Sequence, residues 1–427
     1  MYKRCPIYRK EEGVLKKHAA PFYDMKYTKE EVMQYVEEED VRFIRLAFCD
    51  VFGVQRNVAI MPSELRRAFE YGIPIDASAI GSFGMTVKAD LFLHPDPSTF
   101  CGLPWRSESG KVERMFCDIS YSDGRPFEAD CRRLLKETVE KAEKKGLHFD
   151  IGPAAEFYIF KAGEDGENTG IPYDTAGYMD TAPLDKGENV RREICTTLEE
   201  MGILPEYSFH EAGPGQNCIA FKYSDPLTAA DNAVTFKFVV ESIVAKNGLC
   251  ADFGPKPLKD APGNGLHINY SINDRKDYEL LSMVNAGILE KIREMTLFLD
   301  PCEESYKRLG KMKAPGYISW SEENRSQLIR IPRSMQGVHR AELRSGDPQS
   351  NPYIAMSLLI EAGLYGVEHG LTLPEKCDVD FDEASQKELD RFERLPESLE
   401  EAKKLAAASS FIKEALPECV LNAYLRH

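Results

Sequence analysis

The chain has little that would anchor it to a membrane or to nucleic acid. No apolar run among its 427 residues approaches the length of a membrane span, and the N-terminal stretch MYKRCPIYRKEEG lacks the apolar core of a signal peptide. Basic residues are in the minority, and the net charge of -16 disfavours binding to phosphate backbones or anionic lipids, because such binding needs basic patches. The sequence therefore predicts a cytoplasmic protein with neither nucleic-acid nor membrane partners.

Paired cysteine motifs are also missing. The eleven cysteines are scattered without a CxxC pair, which predicts reduced thiols and disfavours a structural zinc site. We find no internal repeat. Hydrophobic residues make up 43% of the chain and charged residues 29%, which is typical of an ordinary globular protein. Because 427 residues exceed the size of one typical hydrophobic core, we expect two domains.

The domain limits follow from turn and helix signals. Residues 1–26 are basic and aromatic without clear periodicity, and we interpret them as an N-terminal arm. Thr28 and Glu31 fit a capping box, and the strand-like stretch VRFIRLAFCDVFG follows. Gly124 and Pro126 precede a long amphipathic helix predicted over 129–145. We therefore predict a small α+β domain over 27–125 and a larger domain over 126–427, with further helices at 186–201, 226–247, 276–299 and 352–369.

Strand parity predicts a polar cavity in the larger domain. Alternate residues of a strand share one face, so Ala154, Glu156 and Tyr158 of GPAAEFYIF should point the same way. The same holds for Cys218 and Ala220 in NCIAFKY, for His267, Asn269 and Ser271 in LHINYSI, and for Glu342 and Arg344 in AELR. Because charged side chains are rarely buried without reason, this face predicts a cavity lined by Glu156 and His267 rather than a sandwich core.

Arginines set among apolar residues mark the stretch 305–344. They are Arg308, Arg325, Arg330 and Arg344. A guanidinium group offers a planar fork of donors that matches two oxygens of a carboxylate or phosphate. The alternative interpretation is a set of surface arginines paired with the many acids of this chain, and their spacing alone leaves both open.

Seven blocks in fixed order carry a family resemblance from about residue 27 to the end. They are DVFG at 50–53, IDASAIGSF at 75–83, HEAGPGQN at 210–217, PGNGLHIN at 262–269, SYKRL at 305–309, NRSQLIRIP at 324–332 and AELR at 341–344. In these blocks the chain resembles the type I glutamine synthetase family. The resemblance implies an α+β fold with an N-terminal β-grasp domain and a catalytic domain built on an antiparallel half-barrel.

The resemblance also implies an activity and an assembly. The family joins the γ-carboxylate of glutamate to ammonia through an acyl phosphate, with ATP and two divalent cations, magnesium or manganese. The implied partners are glutamate or a related acid, ammonia or an amine, and identical subunits. The implied assembly is a homo-oligomer, a dodecamer of two stacked hexamer rings.

Site residues are carried over position by position. The first cation site resembles one built from Glu156, Glu211 and the residue at 218, which is Cys218 here. The second resembles one built from the residue at 154, His267 and Glu342. The resemblance implies that Arg325, Arg330 and Arg344 stabilise the transferring phosphoryl group. The amino-acid substrate would be bound by Arg308, Arg344, His210 and the backbone of Gly263, Asn264 and Gly265, and the nucleotide would be contacted by Asn269, Ser271, Arg325 and Arg330. Ammonium would be bound by Asp76, which reaches in from an adjacent subunit.

Three departures from the family pattern fall on this site. Ala154, Cys218 and Lys313 stand where the family has glutamates, so each cation site loses one ligand and the lid over the site changes charge. Cys218 is open to two interpretations, a ligand for a softer metal or a small buried hydrophobe. Lys313 is open to three: a lid residue that competes with ammonium, a charge that swings into the metal-poor cavity, or a solvated residue of a site that no longer works.

Two functions follow as alternatives. The first is an ATP-dependent ligase that forms a γ-glutamyl amide, with Lys313 among its catalytic residues. The second is a catalytically impaired paralogue that binds nucleotide or amino acid as a regulator or scaffold.

Overall fold

A computed structural model describes residues 26–83, 87–106, 110–273, 277–333 and 339–427. The predicted arm, residues 1–26, lies outside the described residues except for Lys26. Among the described residues, none of the helices combines the length and the apolar character that a membrane crossing requires.

The N-terminal part is a six-stranded sheet with two helices. Thr28 and Glu31 form the predicted capping box at the start of the first helix, each side chain accepting from the other residue's backbone N–H. The elements are α1 (Lys29–Glu38), β1 (Val41–Cys49), β2 (Gln55–Ile60), α2 (Leu65–Tyr71), β3 (Ile73–Ile75), β4 (Leu91–Pro95), β5 (Cys101–Gly102) and β6 (Lys111–Tyr121). The strand order is β2-β1-β6-β4-β3, with β5 paired to β6. Strands β1 and β6 run parallel and the other neighbours antiparallel, which fits a β-grasp arrangement.

The second part holds a curled nine-stranded sheet. Its elements begin with α3 (Cys131–Lys144), β7 (Phe149–Ala162), β8 (Asn168–Pro172), α4 (Glu188–Glu200), β9 (Pro205–His210), β10 (Gln216–Phe221), α5 (Pro226–Lys246), β11 (Leu249–Asp252), β12 (Leu266–Ile272) and α6 (Tyr278–Leu299). They continue with α7 (Glu303–Arg308), β13 (Trp320–Ser321), β14 (Ile329–Arg330), β15 (Ala341–Leu343), α8 (Pro352–Glu368), α9 (Gln386–Leu389), α10 (Leu399–Ala408), α11 (Ser410–Ala415) and α12 (Glu418–Arg426). The strand order is β13-β14-β15-β12-β7-β10-β9, with β8 and β11 also paired to β7. The five helices predicted from the sequence, α3, α4, α5, α6 and α8, are confirmed with ends shifted by at most two residues.

Helices cover one side of the large sheet and leave the other for polar groups. Phe157, Ile159 and Ile219 point to the helix side, where they pack against Phe236 and Val240 of α5. The opposite side carries the alternate residues of the same strands. The fold therefore separates an apolar layer from the face on which the predicted site residues lie.

A buried ionic cluster joins the two parts. Arg132 of α3 is almost fully buried and pairs with Asp96 (2.9 Å) and Asp118 (3.1 Å) of the N-terminal part, and with Asp231 (3.0 Å) of α5. The Tyr353 hydroxyl donates to the same Asp231 carboxylate at 2.6 Å. Helix α3, which follows the predicted domain boundary near residue 126, therefore contacts both parts of the chain. The boundary stays a prediction.

Candidate active site

The predicted polar face brings the strand residues together as parity requires. His267 lies opposite Ala154 in the β12–β7 pairing, and Asn269 lies opposite Glu342 in the β12–β15 pairing. Glu156 lies opposite Cys218 in the β7–β10 pairing. These residues therefore share one surface of four neighbouring strands.

Two carboxylates flank Gln216 on this surface. Glu156 Oε2 accepts from the Gly265 backbone N–H at 2.8 Å and from Gln216 Nε2 at 3.4 Å. Glu211 follows β9, and its backbone N–H donates to the Gln216 carbonyl at 2.8 Å. Burial and the nearby charge of Glu156 raise the pKa of Glu211 to about 8, although Arg344 and Arg325 pull it down. The positive charges of Arg344 and Arg325 therefore do not offset the effect of burial on Glu211.

Glu342 has the opposite electrostatic environment. Its Oε1 lies 2.5 Å from Arg344 Nη1 and 3.3 Å from His267 Nδ1, and its Oε2 lies 3.3 Å from Arg330 Nη1. Burial alone would raise the pKa of Glu342, but Arg344, His267 and Arg330 outweigh it and hold the pKa well below its ordinary value. The His267 ring also places Nε2 3.8 Å from Glu156 Oε1, so it lies between the two acids.

Arg325 lies at the edge of this group. Its side chain is exposed, and its carbonyl accepts from Arg344 Nε at 3.0 Å. Its charge acts on Glu211 in the same direction as that of Arg344. Both Arg330 and Arg344 pair with an acid, Glu342, as the alternative expects, but Arg344 is 5% exposed and Arg330 is half-buried, so neither is an ordinary surface arginine.

Arg308 is fixed close to His267, with the Gly265 backbone between the two side chains. It is 2% exposed, its Nη1 donates to the Ser345 carbonyl at 2.5 Å, and Asp300 lies 3.6 Å away. A Cβ atom at Gly265 would stand 3.0 Å from Arg308 Nη2 and 2.7 Å from His267 Nε2, so a larger residue there would displace one of these two side chains. Gly263 packs on the stem of Arg308 in the same way. Asn264 is buried, and its amide donates to the carbonyls of Asp252 and Gly254.

Beneath Arg308 lies a buried pair of acids that sequence reasoning missed. Burial and mutual repulsion raise the pKa of Asp300 well above its ordinary value, and burial likewise raises that of Asp347. Only their spatial closeness identifies them, because they are 47 residues apart without a shared motif. The pair underlies Arg308 and sets its charge environment.

His210 belongs to a network behind the site. The ring is fully buried, with Nδ1 2.7 Å from the Glu211 carbonyl and Nε2 2.9 Å from Asp174 Oδ1. Both partners are acceptors, so both ring nitrogens carry protons, and the pKa of His210 is raised although burial opposes it. This arrangement anchors the strand end that carries Glu211. The predicted substrate contact of His210 stays a prediction.

The same network contains the ligand cluster that geometry selects within the described part of the chain. One ligand atom each from Asp174, Asp185 and His210 lies within 4.8 Å of the others. Arg191 already fills the place of a cation there, with Nη2 2.7 Å from Asp185 Oδ2. Neither Asp174 nor Asp185 was selected from the sequence. What identifies these two acids is their buried pairing with Arg191 and His210, which their spacing along the sequence does not show.

Cys218 lies in an apolar cluster with Ala154 and Ala220, on which Phe209 packs. Burial raises the pKa of the Cys218 thiol well above its ordinary value, whereas a metal-binding cysteine must be a thiolate. This placement favours the small-hydrophobe interpretation and gives the predicted ligand role no support. Phe209 was missed, although its parity with Glu211 could have placed it on this surface.

The other predicted residues lie around the cavity. Asn269 donates to the Gly152 carbonyl at 3.1 Å, and Ser271 is fully buried with a hydroxyl that has no hydrogen-bond partner among the described residues. Asp76 is exposed, and its carboxylate accepts from the backbone and hydroxyl of Ser78, which lower its pKa. Lys313 is exposed at φ +67°, and its backbone N–H donates to Asp382 at 3.0 Å.

Known proteins match this architecture along most of the chain. Residues 40–122 match the family model described as glutamine synthetase, beta-Grasp domain, and residues 128–427 match glutamine synthetase, catalytic domain. A glutamine synthetase of Clostridium saccharobutylicum is 40% identical over 415 residues, 94% of each chain. One of Methanosarcina mazei is 42% identical over 413 residues, 93% of this chain and 92% of the relative.

Solved structures agree. GmaS in a complex with ADP superposes with a TM-score of 0.83 at 26% identity, covering 92% of this chain and 93% of GmaS. The Plasmodium falciparum glutamine synthetase gives a TM-score of 0.80 at 21% identity over 94% and 95% of the two chains, which shows the fold. With both domain models matched in order on the residues described above, this chain belongs to the glutamine synthetase family of ATP-dependent ligases.

Proposed function

We propose that this chain joins the γ-carboxylate of glutamate, or of a related acid, to ammonia or an amine through an acyl phosphate. The observation that carries this proposal is the convergence of Glu156 and Glu211 with Arg330 and Arg344 on one strand surface, with Arg308 held beside it across Gly265. Acids that hold a cation beside arginines that hold phosphate oxygens are what phosphoryl transfer requires. ADP binding by GmaS, which has the same fold, supports a nucleotide site here.

The acids fit the family's divalent cation in one place. Magnesium or manganese can be held by one or two protein carboxylates, with water and phosphate oxygens completing the shell. Glu156 and Glu211 would provide those carboxylates, since each keeps oxygens free beside its backbone contacts. A bound cation would shield the charge of the ATP phosphates.

The residues of this chain then divide the remaining work. Arg308 would orient the amino-acid substrate against the Gly263–Gly265 backbone, while Arg325, Arg330 and Arg344 would bind oxygens of the transferring phosphoryl group. The substrate carboxylate attacks the γ-phosphorus of ATP and ADP departs. An amine nitrogen next attacks the acyl carbon, phosphate leaves, and the proton of the amine goes to Asp76 of a neighbouring subunit.

Lys313 bears on the choice of amine. An ammonium group on the lid repels cations, so it disfavours the ammonium ion that a glutamate lid attracts, and equally a protonated amine. A lid of changed charge permits an acceptor other than that of ordinary glutamine synthesis, so we include both ammonia and amines among the acceptors.

The second candidate, a nucleotide- or amino-acid-binding regulator without catalysis, is favoured by two observations. Arg330 and Arg344 already direct their donors at Glu342, and Phe209 covers Ala154 and Cys218, two of the three positions where glutamates are missing. Arginines satisfied inside the protein have fewer donors left for phosphate.

Release of ADP and phosphate decides between these candidates. The purified chain is incubated with ATP, glutamate and magnesium or manganese, with ammonia, with a panel of amines, or with neither. The ligase proposal expects release that requires an amine and drops at least about 100-fold in Arg344→Lys, because a lysine cannot make the bidentate contact. Nucleotide binding without release under any combination would establish the regulator instead. The triple variant Ala154→Glu, Cys218→Glu and Lys313→Glu then tests whether the rest of the site is intact, by a gain of glutamine formation.

A further inference from the structure

The Glu342 carboxylate is saturated by protein cations. Arg344 and Arg330 each direct a guanidinium nitrogen at one of its two oxygens, and His267 Nδ1 lies near the first. Glu342 is 7% exposed and Arg344 is 5% exposed, so water screens this cluster little. Arginine stays protonated at any ordinary pH, and these charges are therefore permanent.

Three neighbouring positions of the strand surface next to His267 carry no oxygen ligand. Ala154 stands opposite His267, Ala220 stands opposite Ala154, and Cys218 adjoins them. These three side chains are at most 4% exposed and are covered by Phe209. A hard divalent cation needs oxygen ligands, and none is available from this apolar floor.

Glu156 and Glu211 present the reverse situation. Both lie on the cavity face beside Gln216, and the contacts of Glu156 are with N–H groups of Gly265 and Gln216, with the His267 ring nitrogen 3.8 Å away. No arginine or lysine of the described residues lies within 4.0 Å of either carboxylate, so this pair keeps room for an external cation.

We propose that this chain holds one divalent cation, at Glu156 and Glu211, and that the place of the family's second cation beside His267 and Glu342 binds none, because Ala154 supplies no oxygen ligand there and both oxygens of Glu342 contact arginines. This rests on the proposed function and deepens it.

Counting bound manganese tests this directly. The full chain is titrated with Mn²⁺ without nucleotide, and free Mn²⁺ is followed by its electron paramagnetic resonance signal. We expect one Mn²⁺ to bind per chain. Its affinity should fall at least about tenfold in Glu156→Gln and should be unchanged in the matched variant Glu342→Gln. Thermal unfolding and the assembly size of each variant show that it is folded.

Adding the missing acid gives a second arm. Ala154→Glu should raise the count to two Mn²⁺ per chain, with spin coupling between the two ions. Two ions per wild-type chain, or none, would overturn the proposal. So would a single ion that survives Glu156→Gln and is lost in Glu342→Gln. If Ala154→Glu fails to fold, the two glutamine variants still decide the question.

The proposed function is tested by a different measurement, the release of ADP. Absence of amine-dependent ADP release would remove the ligase proposal and leave the manganese count unaffected, so the two failures are distinguishable.

Discussion

At the scale of single residues, charge environment distinguishes acids that look alike in the sequence. Glu211 is half-buried and Glu342 is buried in the same cavity, yet the pKa of Glu211 is raised by burial and by Glu156, whereas arginines lower that of Glu342. The sign of the shift follows from which charges lie within a few ångströms. Residue identity alone would have treated them as equal ligands.

Glu113 of β6 gives a prediction about stability and pH. Burial raises its pKa from an ordinary 4.5 to about 7, although Lys111 opposes the shift. Between these values the folded chain holds a proton that the unfolded chain has released, so the free energy of unfolding falls as pH rises through this window. Glu113→Gln removes the effect. We expect the free energy of unfolding of the variant, relative to that of the wild type, to rise by about 3 kcal/mol between pH 4.5 and pH 7.

Urea unfolding at several pH values measures this difference. Glu137→Gln on the exposed side of α3 serves as a control and should follow the wild type throughout. A constant difference between Glu113→Gln and the wild type from pH 4.5 to pH 8 would contradict the prediction.

At the scale of elements, a few contacts decide how the helices sit on the sheets. In helix α3, Arg132 pairs with three carboxylates that come from both parts of the chain. Helices α6 and α8 contact each other at glycines. Helical periodicity predicted all three helices. It did not show that Arg132, with charged neighbours on its own helix, is the buried one.

Arg132→Met should destabilise the chain strongly. The substitution leaves Asp96, Asp118 and Asp231 without their shared cation in a partly buried place, and breaking such a cluster costs about 3–5 kcal/mol. The neighbour Arg133 pairs with Glu137 in solvent, so Arg133→Met should change stability by less than about 0.5 kcal/mol. Denaturant midpoints of the two variants compare them. Equal midpoints would show that the buried cluster contributes nothing.

The contact between α6 and α8 gives another test. A Cβ atom at Gly287 would collide with the Ala362 carbonyl and stand 2.6 Å from Gly366 N, both of which are backbone atoms that side-chain rotation cannot move. Gly287→Ala should therefore cost about 1–3 kcal/mol by forcing the helices apart. At Gly81 an added Cβ meets nothing within 4 Å, so Gly81→Ala is the matched control. Thermal unfolding should show a lower midpoint temperature for Gly287→Ala and an unchanged one for Gly81→Ala.

At the scale of the whole molecule, the site is incomplete in one chain if Asp76 acts as proposed. Asp76 is exposed, and its carboxylate is engaged by Ser78 of the same short turn. Members of this family are homo-oligomers, and we propose rings in which Asp76 of one subunit reaches the cavity of the next, two hexamers forming a dodecamer.

Mixed assemblies test this arrangement. Asp76→Asn and Arg308→Lys chains, each inactive alone, should together restore about one quarter of wild-type ADP release, because random neighbours supply an intact Asp76 and an intact Arg308 to that fraction of sites. Asp76→Asn chains mixed with chains that carry both substitutions should stay inactive. No recovery in the first mixture, with mixed assemblies confirmed by native mass spectrometry, would place Asp76 in a role within its own chain.

The family, the α+β architecture and the five long helices all follow from the amino-acid sequence, and so does the strand parity that places Glu156, His267 and Glu342 on one surface. These features are local, since periodicity and motif order are written along the chain. Only the tertiary structure showed that Arg330 and Arg344 saturate Glu342, that Phe209 covers Ala154 and Cys218, and that His210 is held by Asp174. Those outcomes depend on distances between residues far apart in sequence, and the energies of buried charges change steeply with such distances.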